Sequence, residues 1–378
     1  MRVAFHAPLK PPDSDRPSGD RTMARLLVRA LRRAGHEVEL ASRLRSRDGA
    51  GDPDRQRRLA ALGARLADRY VASVRAGRRP RPDLWFTYHL YYKAPDLVGP
   101  AVAASLGIPY AVAEASVAHK RAGGPWDGGH RAVLAALSGA ALAVGLNSRD
   151  AALVRPALGP QGRYEQLRPF LEPPAPPAPG PARSELAAAL DLPAGAPVLL
   201  TVGMMRPGAK LESYRLLATA LAGLAGRPWT LVAVGDGPAR PQVAEAFAAI
   251  AGRVRLTGTL PADRLARIYA AADLLVWPAI QEAYGMALLE AQAAGLPVLA
   301  GDAGGVPDIV RHGSTGVLVP EGDAAAFAAA LSGLLDDPGR LPAMGEAARR
   351  TVLAEHGLDA AAAALDGWLR RAAAEVRR

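Results

Sequence analysis

Short apolar runs alternate with longer helical patterns along most of the chain, and this alternation limits the possible folds more than any other feature. The predicted strands cover residues 2–7, 38–40, 84–88, 110–114 and 141–146 in the first half, and 198–202, 230–234, 254–257, 274–277, 297–300 and 316–319 in the second. One helix is predicted to end before Gly35, and further helices are predicted over 101–106, 131–137, 211–224, 242–251, 262–272 and 286–294. Strands that alternate with helices pair in parallel, because each crossover helix returns the chain to the same end of the sheet. We therefore predict α/β domains built on parallel sheets.

A proline-rich segment divides the chain. Residues 169–183, PFLEPPAPPAPGPAR, contain too many prolines for the interior of a helix or a sheet and favour an extended, stiff connector. At about 150 residues per domain, the 378 residues suffice for two domains. We place an N-terminal domain at 1–172, a linker at 173–183 and a C-terminal domain at 184–357. From Asp323 onward the chain is predicted to be helical, with a break at Gly357 between two helices.

Composition excludes several classes of protein. The chain has no cysteine, so disulfides and thiolate nucleophiles are excluded. No apolar stretch reaches the ~18 residues of a transmembrane helix and the first residues show no signal peptide, so we expect a cytoplasmic protein. The net charge of +10 suits an anionic partner. Because no nucleic-acid-binding motif accompanies the charge, we favour peripheral association with an anionic membrane face and predict no nucleic-acid partner.

The segment QEAYGMALLE, residues 281–290, places Glu282 and Glu290 on either side of a predicted helix start. Ligand sites in parallel sheets lie outside the carboxyl ends of strands, and this segment follows the strand 274–277. Gly285 lets the backbone approach a ligand, and the first free amides of the helix, those of Met286, Ala287 and Leu288, suit a phosphate. Glu282 can then stabilise positive charge at an anomeric carbon, and Glu290 can accept hydrogen bonds from ribose hydroxyls. Without further evidence, the two carboxylates also have a purely structural explanation: one is an acid at a helix terminus and the other belongs to a solvent-exposed helix face.

A longer stretch around this segment resembles a known family. Residues 271–323 contain Glu, seven residues, Glu, then GLPV, a GG-PDIV segment, a G-TG turn and a final P-GD, as in the signature region of the family 4 retaining glycosyltransferases (glycosyl transferases group 1). The segments at 201–217, 231–238 and 254–274 follow in the family's order. The resemblance is strong in the C-terminal domain and extends only to the layout of the N-terminal one. It implies an α/β protein of the GT-B fold, with two Rossmann-like domains facing a central cleft and the helix 358–378 packing back on the first domain.

The resemblance also implies roles for residues of the C-terminal domain. Glu290 would hold the nucleotide ribose, Glu282 and the amides after it would hold the donor sugar, and Arg206 and Lys210 would neutralise the diphosphate leaving group. The family commonly has Arg directly after the VG pair, where this chain has Met204, so Lys210 is the better candidate of the two cations. The alternative explanation is that Arg206 and Lys210 are solvent-exposed loop residues that bind no ligand. The expected donor-binding residues are Gly19, Gly203, Arg206, Lys210, Leu260, Glu282, Ala283, Tyr284, Gly285, Met286, Ala287, Leu288 and Glu290.

Three residues of the N-terminal domain are also candidate site residues, one for the donor phosphate and two for the acceptor. Gly19, in the segment PSGD, can bring backbone amides to the donor phosphate, although a helix N-cap by Ser18 or Asp20 fits the same residues. Glu114 and His119 follow a predicted strand end at positions where the family has residues that face the acceptor and the reacting centre. The expected catalytic set is Glu282, Lys210, Arg206 and His119.

The function implied is transfer of a sugar from a UDP-, GDP- or ADP-sugar to a hydroxyl of a glycan, a lipid-linked sugar or a small molecule, with retention of anomeric configuration. In the mechanism proposed for such enzymes the departing diphosphate helps to deprotonate the acceptor, so no protein nucleophile, metal or further cofactor is expected. Two alternatives stay open: a nucleotide-sugar epimerase on the same fold, and a non-catalytic subunit that binds a nucleotide sugar or a partner enzyme.

Overall fold

A computed structural model describes residues 1–13, 18–172 and 182–376, and the chain divides into two compact units. Unit 1 combines Met1–Arg168 with Leu358–Arg378, and unit 2 is Pro169–Gly357. Most of the segment 173–183, predicted as a linker, lies outside the described residues, and a helix begins at Ala182.

Unit 1 is a parallel α/β sheet. Its elements in chain order are β1 (Arg2–His6), α1 (Gly19–Arg33), β2 (Glu37–Ser42), α2 (Pro53–Arg75), β3 (Leu84–Leu90), α3 (Gly99–Leu106), β4 (Tyr110–Ala115), α4 (Asp127–Ser138), β5 (Leu142–Gly145), α5 (Ala151–Val154) and β6 (Arg163–Gln166). The six strands pair in the order β2-β1-β3-β4-β5-β6, and every pairing is parallel. The strand order reverses between β1 and β3, which is where ligands bind in open sheets of this kind.

Unit 2 repeats this architecture. Its elements are α6 (Ala182–Leu190), β7 (Val198–Val202), α7 (Ala209–Ala222), β8 (Thr230–Val234), α8 (Arg240–Ala246), β9 (Val254–Gly258), α9 (Ala262–Ala271), β10 (Leu274–Trp277), α10 (Met286–Ala293), β11 (Val298–Asp302), β12 (Gly316–Pro320), α11 (Ala324–Asp336) and α12 (Arg340–Glu355). The strands pair in parallel in the order β9-β8-β7-β10-β11-β12. This is the doubly wound order of dinucleotide-binding domains, and its switch point lies between β7 and β10.

The central strands are mostly apolar because helices cover both faces of each sheet. Every residue of β8 and β10 is buried, as is every residue of β5. The last helix, α13 (Leu358–Val376), belongs to unit 1 and packs on α1. Its Leu365 and Leu369 are fully buried, and Asp359 accepts a hydrogen bond from Arg33 at 2.7 Å.

The predicted α/β architecture of two parallel sheets is confirmed, and each predicted strand is present within two residues of its expected ends. Three details differ. The edge strand β6 and the helices α2, α5 and α6 were not predicted. The helix expected at 242–251 ends at Ala246, and a 3-10 turn with a non-helical Ile250 follows. The C-terminal stretch contains three helices rather than two, because Pro338 disfavours the helical conformation of the residue before it and α11 ends at Asp336. None of the helices within the described residues is both long enough and apolar enough to cross a bilayer.

Candidate active site

The loop 278–285, between β10 and α10, lies at the switch point of unit 2. Its backbone is left-handed at Ala279 (φ 59°), Gln281 (φ 48°) and Gly285 (φ 73°). The first two are non-glycine residues, for which this conformation costs about 1 kcal/mol or more and persists only where neighbours enforce it. The enforcing contacts come from other elements: the Ser213 hydroxyl accepts from the Ile280 amide at 3.0 Å, and a Glu321 carboxylate oxygen accepts from the Gln281 amide at 2.7 Å. The loop is therefore held in a defined shape.

Glu282 and Lys210 meet beside this loop. Lys210, in the first turn of α7, donates from Nζ to Glu282 Oε2, and the two side chains are 24% and 12% exposed. Trp277, the last residue of β10, donates from Nε1 to the same oxygen at 3.0 Å. The Lys210 ammonium lies 5.0 Å from the centre of the Trp277 ring, a cation-π distance. Both predicted charges are thus brought together, and the indole fixes the orientation of the acid.

Trp277 was not predicted as a site residue, although its position gave a signal. It ends a buried strand directly before the loop, and a buried indole N–H normally requires an acceptor. The Trp277 ring packs against the Tyr214 ring at 5.2 Å between centres. Tyr214 in turn donates its hydroxyl hydrogen to the carbonyl of Gly203 at 2.8 Å. Gly203, an expected donor-binding residue, is therefore linked through Tyr214 to Trp277.

The GG-PDIV segment supports Glu282 from the other side. A Cβ atom at Gly304 (φ 51°) would lie 1.6 Å from the carbonyl oxygen of Glu282, so only glycine fits there. The next amide, that of Gly305, donates to the Ala283 carbonyl at 2.9 Å. The loop after β11 thus holds the backbone of residues 282–283 in position.

The start of α10 offers fewer free amides than predicted. Gly285 is the N-cap residue, and its carbonyl accepts from the Leu288 amide at 2.8 Å. The expectation of a free Leu288 amide is therefore wrong, because the first turn of the helix is tightened into a three-residue hydrogen bond. Met286 and Ala287 occupy the two first helical positions, whose amides lack a partner within a helix and suit a phosphate. Ala283 is exposed and Tyr284 is half-buried in the preceding loop.

Glu290 lies one turn further along α10 and has a partner of its own. The Tyr269 hydroxyl, on α9, donates to Glu290 Oε2 at 2.9 Å. Burial raises the pKa of Glu290 above its ordinary value, and the hydrogen bond from Tyr269 acts in the opposite direction. Burial and the nearby carboxylate raise the pKa of Tyr269 well above its ordinary value, so its hydroxyl keeps its proton at neutral pH. Tyr269 was not predicted, because its sequence position, 21 residues before Glu290, gives no hint of the contact.

Two expected donor residues lie outside these contacts. Arg206 is exposed in the loop after β7, and its guanidinium forms no ion pair with any residue of the described ranges. Leu260, between β9 and α9, is half-buried and packs against the core of unit 2. The structure therefore brings Lys210 to Glu282 and leaves Arg206 as a surface cation.

The switch point of unit 1 carries a second group of polar residues. Gly19 begins α1, and a Cβ atom there would meet nothing within 4 Å, so the space beside it is open. Ser18 occupies the N-cap position, as the alternative expected, but its side chain makes no capping hydrogen bond, and Asp20 lies within the helix. The Ser18 hydroxyl instead accepts from Lys10 Nζ at 2.8 Å, and Lys10 also forms an ion pair with Asp20.

Glu114 faces a histidine that was not predicted. His89 (φ 62°) and Glu114 (φ 57°) are left-handed residues at the ends of β3 and β4. His89 Nδ1 lies 3.7 Å from Glu114 Oε2 and 3.6 Å from Asp20 Oδ1. Burial, followed by the charge of Glu114, raises the pKa of the neighbouring Asp150. The signal for His89 in the sequence was its place directly after the predicted strand 84–88.

His119 lies in a different setting. It begins a short 3-10 turn, is exposed, and packs its ring edge-on against His130 at 5.7 Å. The histidine that the structure places beside Glu114 is therefore His89.

Comparisons with known proteins agree with this architecture. Residues 196–337 match the family model described as Glycosyl transferases group 1. Over 188 residues the chain is 44% identical to the D-inositol 3-phosphate glycosyltransferase of Thermobispora bispora, an alignment that covers 47% of this chain and 43% of that protein. The chain spans less than half the length of the curated relatives it matches.

Solved structures resemble the whole chain in fold. Sucrose-phosphate synthase from Thermosynechococcus elongatus superposes with a TM-score of 0.72 at 23% identity, covering 99% of this chain and 100% of that one. Anabaena HepE in complex with UDP superposes with a TM-score of 0.73 at 19% identity, covering 98% of this chain and 100% of that one.

These matches define the chain first as an α/β protein of the GT-B fold. The region 196–337 is, more narrowly, a group 1 glycosyltransferase domain. The resemblance predicted from the sequence is confirmed at that level.

Proposed function

We propose that this protein is a glycosyltransferase that moves a sugar from a nucleoside diphosphate sugar to an acceptor hydroxyl. The observation that carries the proposal is the meeting of Lys210, Glu282 and Trp277 at the switch point of unit 2, directly before the start of α10. A cation, an oriented carboxylate and a helix N-terminus are the groups that a sugar diphosphate requires at one place.

The donor would be divided among three sets of contacts. The amides of Met286 and Ala287 and the ammonium of Lys210 would bind the diphosphate, because both favour negative charge. Glu282, oriented by Trp277, would accept hydrogen bonds from the sugar hydroxyls. Glu290 would accept hydrogen bonds from the ribose with the carboxylate oxygen that Tyr269 does not occupy. Gly203 would let the backbone approach the ligand, and a side chain there would crowd the Tyr214 hydroxyl, 3.2 Å from the position of a Cβ atom.

The reaction would proceed with retention of anomeric configuration. The bond between the anomeric carbon and the diphosphate oxygen breaks, and a bond from the acceptor oxygen to the same carbon forms on the same face. The acceptor proton passes to the departing diphosphate. Lys210 stabilises the negative charge that develops on the leaving group, and the Glu282 carboxylate stabilises the positive charge at the sugar, each a preorganised electrostatic contribution.

Among the three nucleotides, UDP is the first to test, since the fold neighbour HepE was solved with UDP and with UDP-glucose. On the acceptor side we assign Glu114 and His119, as expected from the sequence, and add His89 because it lies beside Glu114. Gly19 remains the candidate for a backbone contact to the donor phosphate.

The test is incubation with UDP-, GDP- and ADP-sugars, with and without a panel of sugar, lipid-linked and small-molecule acceptors. Release of nucleoside diphosphate that depends on an acceptor, with an NMR spectrum of the product that shows the anomer of the donor, supports the proposal. Isomerised donor without release of nucleotide would identify an epimerase instead. Nucleotide binding without any turnover across the panel would contradict the catalytic assignment.

We also propose weak association with an anionic membrane surface. Helix α2 carries six arginines against two aspartates, and Arg58, Arg65 and Arg69 are among its exposed residues. Sedimentation with vesicles that contain phosphatidylglycerol, but not with neutral vesicles, and release by salt would support this association. Equal sedimentation with both kinds of vesicle would contradict it.

A further inference from the structure

Unit 1 contains a cavity of about 430 Å³ that none of the assigned residues uses. Three segments line it, and each follows the carboxyl end of a strand: one after β2, one after β3 and one after β4. This is the edge of a parallel sheet at which ligands bind. Its volume lies in the range of small-molecule sites, roughly 300 to 1,000 Å³.

The walls of the cavity are held together by contacts that leave little freedom. Gln56 Nε2 donates to Asp48 Oδ2 and to the Pro125 carbonyl, both at 2.8 Å, and so joins α2 to the loop before α4. Trp126 Nε1 donates to the Asp48 carbonyl at 3.0 Å. A Cβ atom at Gly129 would lie 2.0 Å from the Tyr92 carbonyl oxygen, so α4 packs directly on the loop after β3. The cavity is therefore built into the resting fold.

The inner surface of the cavity is largely apolar. The side chains that line it include Leu59, Ala60, Tyr92, Leu97, Pro125 and Ala132. The charged groups at its rim already have partners: Arg131 pairs with Asp127 at 2.9 Å, Arg57 pairs with Asp54, and Lys93 lies 4.9 Å from the Trp126 ring centre. A ligand would therefore meet hydrocarbon and aromatic surface.

The two helix starts at the cavity disfavour an anion. The Asp52 side chain caps α2 by accepting from the amides of Asp54 and Arg55, at 2.9 and 3.2 Å. Asp127 occupies the first turn of α4 and accepts from the Gly123 amide at 3.0 Å. Carboxylates at both N-termini already occupy the places that a phosphate would take.

The cavity also adjoins the acceptor-side residues. The guanidinium of Arg121, two residues after His119, lies 5.2 Å from the Tyr92 ring centre and 5.3 Å from that of Trp126. Tyr92 forms a wall of the cavity. The segment that carries His119 thus packs on the cavity wall.

We propose that this cavity binds an apolar group, an alkyl chain or an aromatic ring, attached to the acceptor. This inference rests on the proposed function for the word acceptor, but the binding site itself does not. A sugar with an apolar aglycone would place that group against Leu59 and Leu97, while its hydroxyls stay at the polar edge of the sheet. A free sugar or a sugar phosphate would leave the cavity unused.

The test measures binding directly, with octyl β-D-glucoside and methyl β-D-glucoside as probes and ligand-observed NMR titration of the full chain as readout. The octyl compound should bind at least about tenfold more tightly than the methyl compound, since about two buried methylene groups already contribute that factor. Ala60→Phe would fill the cavity from α2 and should abolish the difference. Ala61→Phe is the matched control, because Ala61 is exposed on the same helix, as Ala60 is, but does not line the cavity.

Equal binding of the two probes by the unmodified chain would overturn the proposal. So would an octyl preference that survives in Ala60→Phe. Should Ala60→Phe fail to fold, Ala132→Phe fills the same cavity from α4 and decides in its place. UDP binding in unit 2, measured on the same samples, reports on the proposed function separately: loss of the octyl preference with UDP binding intact refutes the cavity alone, and absent UDP binding with the octyl preference intact refutes the donor site alone.

Discussion

Lys210, in the first turn of α7, and Glu282, in the loop before α10, neutralise one another, so in the proposed donor site a diphosphate would compete with the Glu282 carboxylate for the ammonium. Trp277 contributes to both partners, since it donates a hydrogen bond to the acid and presents its ring to the cation. The three residues form one electrostatic unit, and a change in one of them alters the other two. Two functions of Glu282 can therefore be separated: its charge, which binds Lys210, and its oxygen, which receives the indole N–H.

The substitution Glu282→Gln separates these functions. Glutamine keeps an oxygen acceptor for Trp277 and removes the negative charge, so the developing positive charge on the sugar loses its partner. We expect turnover to fall by about two orders of magnitude or more, the usual cost of one preorganised electrostatic contact. UDP binding should be equal or tighter, because Lys210 no longer has a competing partner.

Steady-state turnover and calorimetric UDP binding check this expectation. Glu212→Gln is the control, since Glu212 is an exposed acid on the same helix as Lys210 and pairs with Arg215. A Glu282→Gln variant with unreduced turnover would remove Glu282 from the mechanism.

Tyr269 positions Glu290, and Tyr269→Phe should weaken UDP binding by about tenfold. The lost hydrogen bond is one to a charged group, of the kind that contributes about 1.5 kcal/mol or more. The effect should be confined to ligands with ribose hydroxyls. Pyrophosphate, which has none, should bind the variant and the unmodified chain equally, and a parallel loss for pyrophosphate would show that the substitution disturbs the site as a whole.

The raised pKa of Glu290 predicts a pH dependence of nucleotide binding. In the proposed donor site the ionised carboxylate would accept hydrogen bonds from the ribose hydroxyls, so binding should weaken as pH falls from neutral toward the raised pKa, above the ordinary 4.5 of glutamic acid. The free energy of unfolding depends on pH in the opposite direction. Because the pKa of Glu290 is raised in the folded state, folding favours the protonated acid, so the contribution of Glu290 to stability is present at low pH and is lost as pH rises through that pKa.

Titration of UDP by calorimetry between about pH 7.5 and about pH 5 measures this dependence. In Tyr269→Phe the midpoint should move to higher pH, because the hydrogen bond that lowers the pKa of Glu290 is gone. An unchanged midpoint in that variant would contradict the assignment.

At the scale of elements, the buried strands could be predicted because the sheets are covered on both faces and read as apolar runs. Helix α2 was missed because its inward face has few large apolar residues; the buried residues within it are Gly63, Ala67, Tyr70 and Val71. Gly63 lies so close to Leu97 that a Cβ atom would be 2.6 Å from it. Strand β6 was missed because RYEQ is polar and lies at the sheet edge.

The candidate site, too, could be predicted from the sequence only in part. Glu114, Glu282 and Lys210 were visible because they lie at or beside the ends of predicted strands and helices. Glu290 lies inside a predicted helix and was visible because it completes the family's Glu, seven residues, Glu motif. The contacts that orient them, from Trp277, Tyr269 and His89, connect elements that are far apart in sequence and follow only from the fold.

The glycines of the connection between β11 and β12 allow a test of how a loop supports the site. Gly304→Ala adds a methyl group where only 1.6 Å separates its position from the Glu282 carbonyl, so the loop 282–283 must move. Turnover should fall by about 100-fold, the order of loss that follows when reacting groups are displaced by about 1 Å.

Gly313→Ala is the matched control for this experiment. Gly313 also has a positive φ, 77°, but its added methyl group meets nothing within 4 Å, so only the backbone conformation is strained. Its cost should be about 1 to 2 kcal/mol in unfolding free energy, with little change in turnover. Equal effects of the two substitutions on turnover would show that the packing of Gly304 on Glu282 has no functional role.

At the scale of the whole molecule, unit 1 is made of two separate segments of chain. Helix α13 joins it after the chain has passed through all of unit 2, and its buried Leu365 and Leu369 are fully enclosed. Removal of residues 358–378 should destabilise unit 1 by several kcal/mol, more than the roughly 2 to 5 kcal/mol expected for Leu369→Ala alone.

Melting curves and UDP binding measured on the same samples check this prediction. The truncated chain should lose the melting transition of unit 1 and keep most of its UDP binding, because Gly19 alone of the proposed donor residues lies in unit 1. An unchanged melting curve would show that α13 contributes nothing to unit 1.

The position of α13 has a further consequence for biosynthesis. Domains usually complete their structure in the order in which the ribosome releases them. Here the first segment of unit 1, Met1–Arg168, leaves the ribosome without the helix that packs on α1, which follows only after the 189 residues of unit 2, from Pro169 to Gly357, have been translated. Unit 2 can thus fold before unit 1 is complete. During that interval the apolar surface that α13 later covers is exposed on the nascent chain, and a chaperone would bind there.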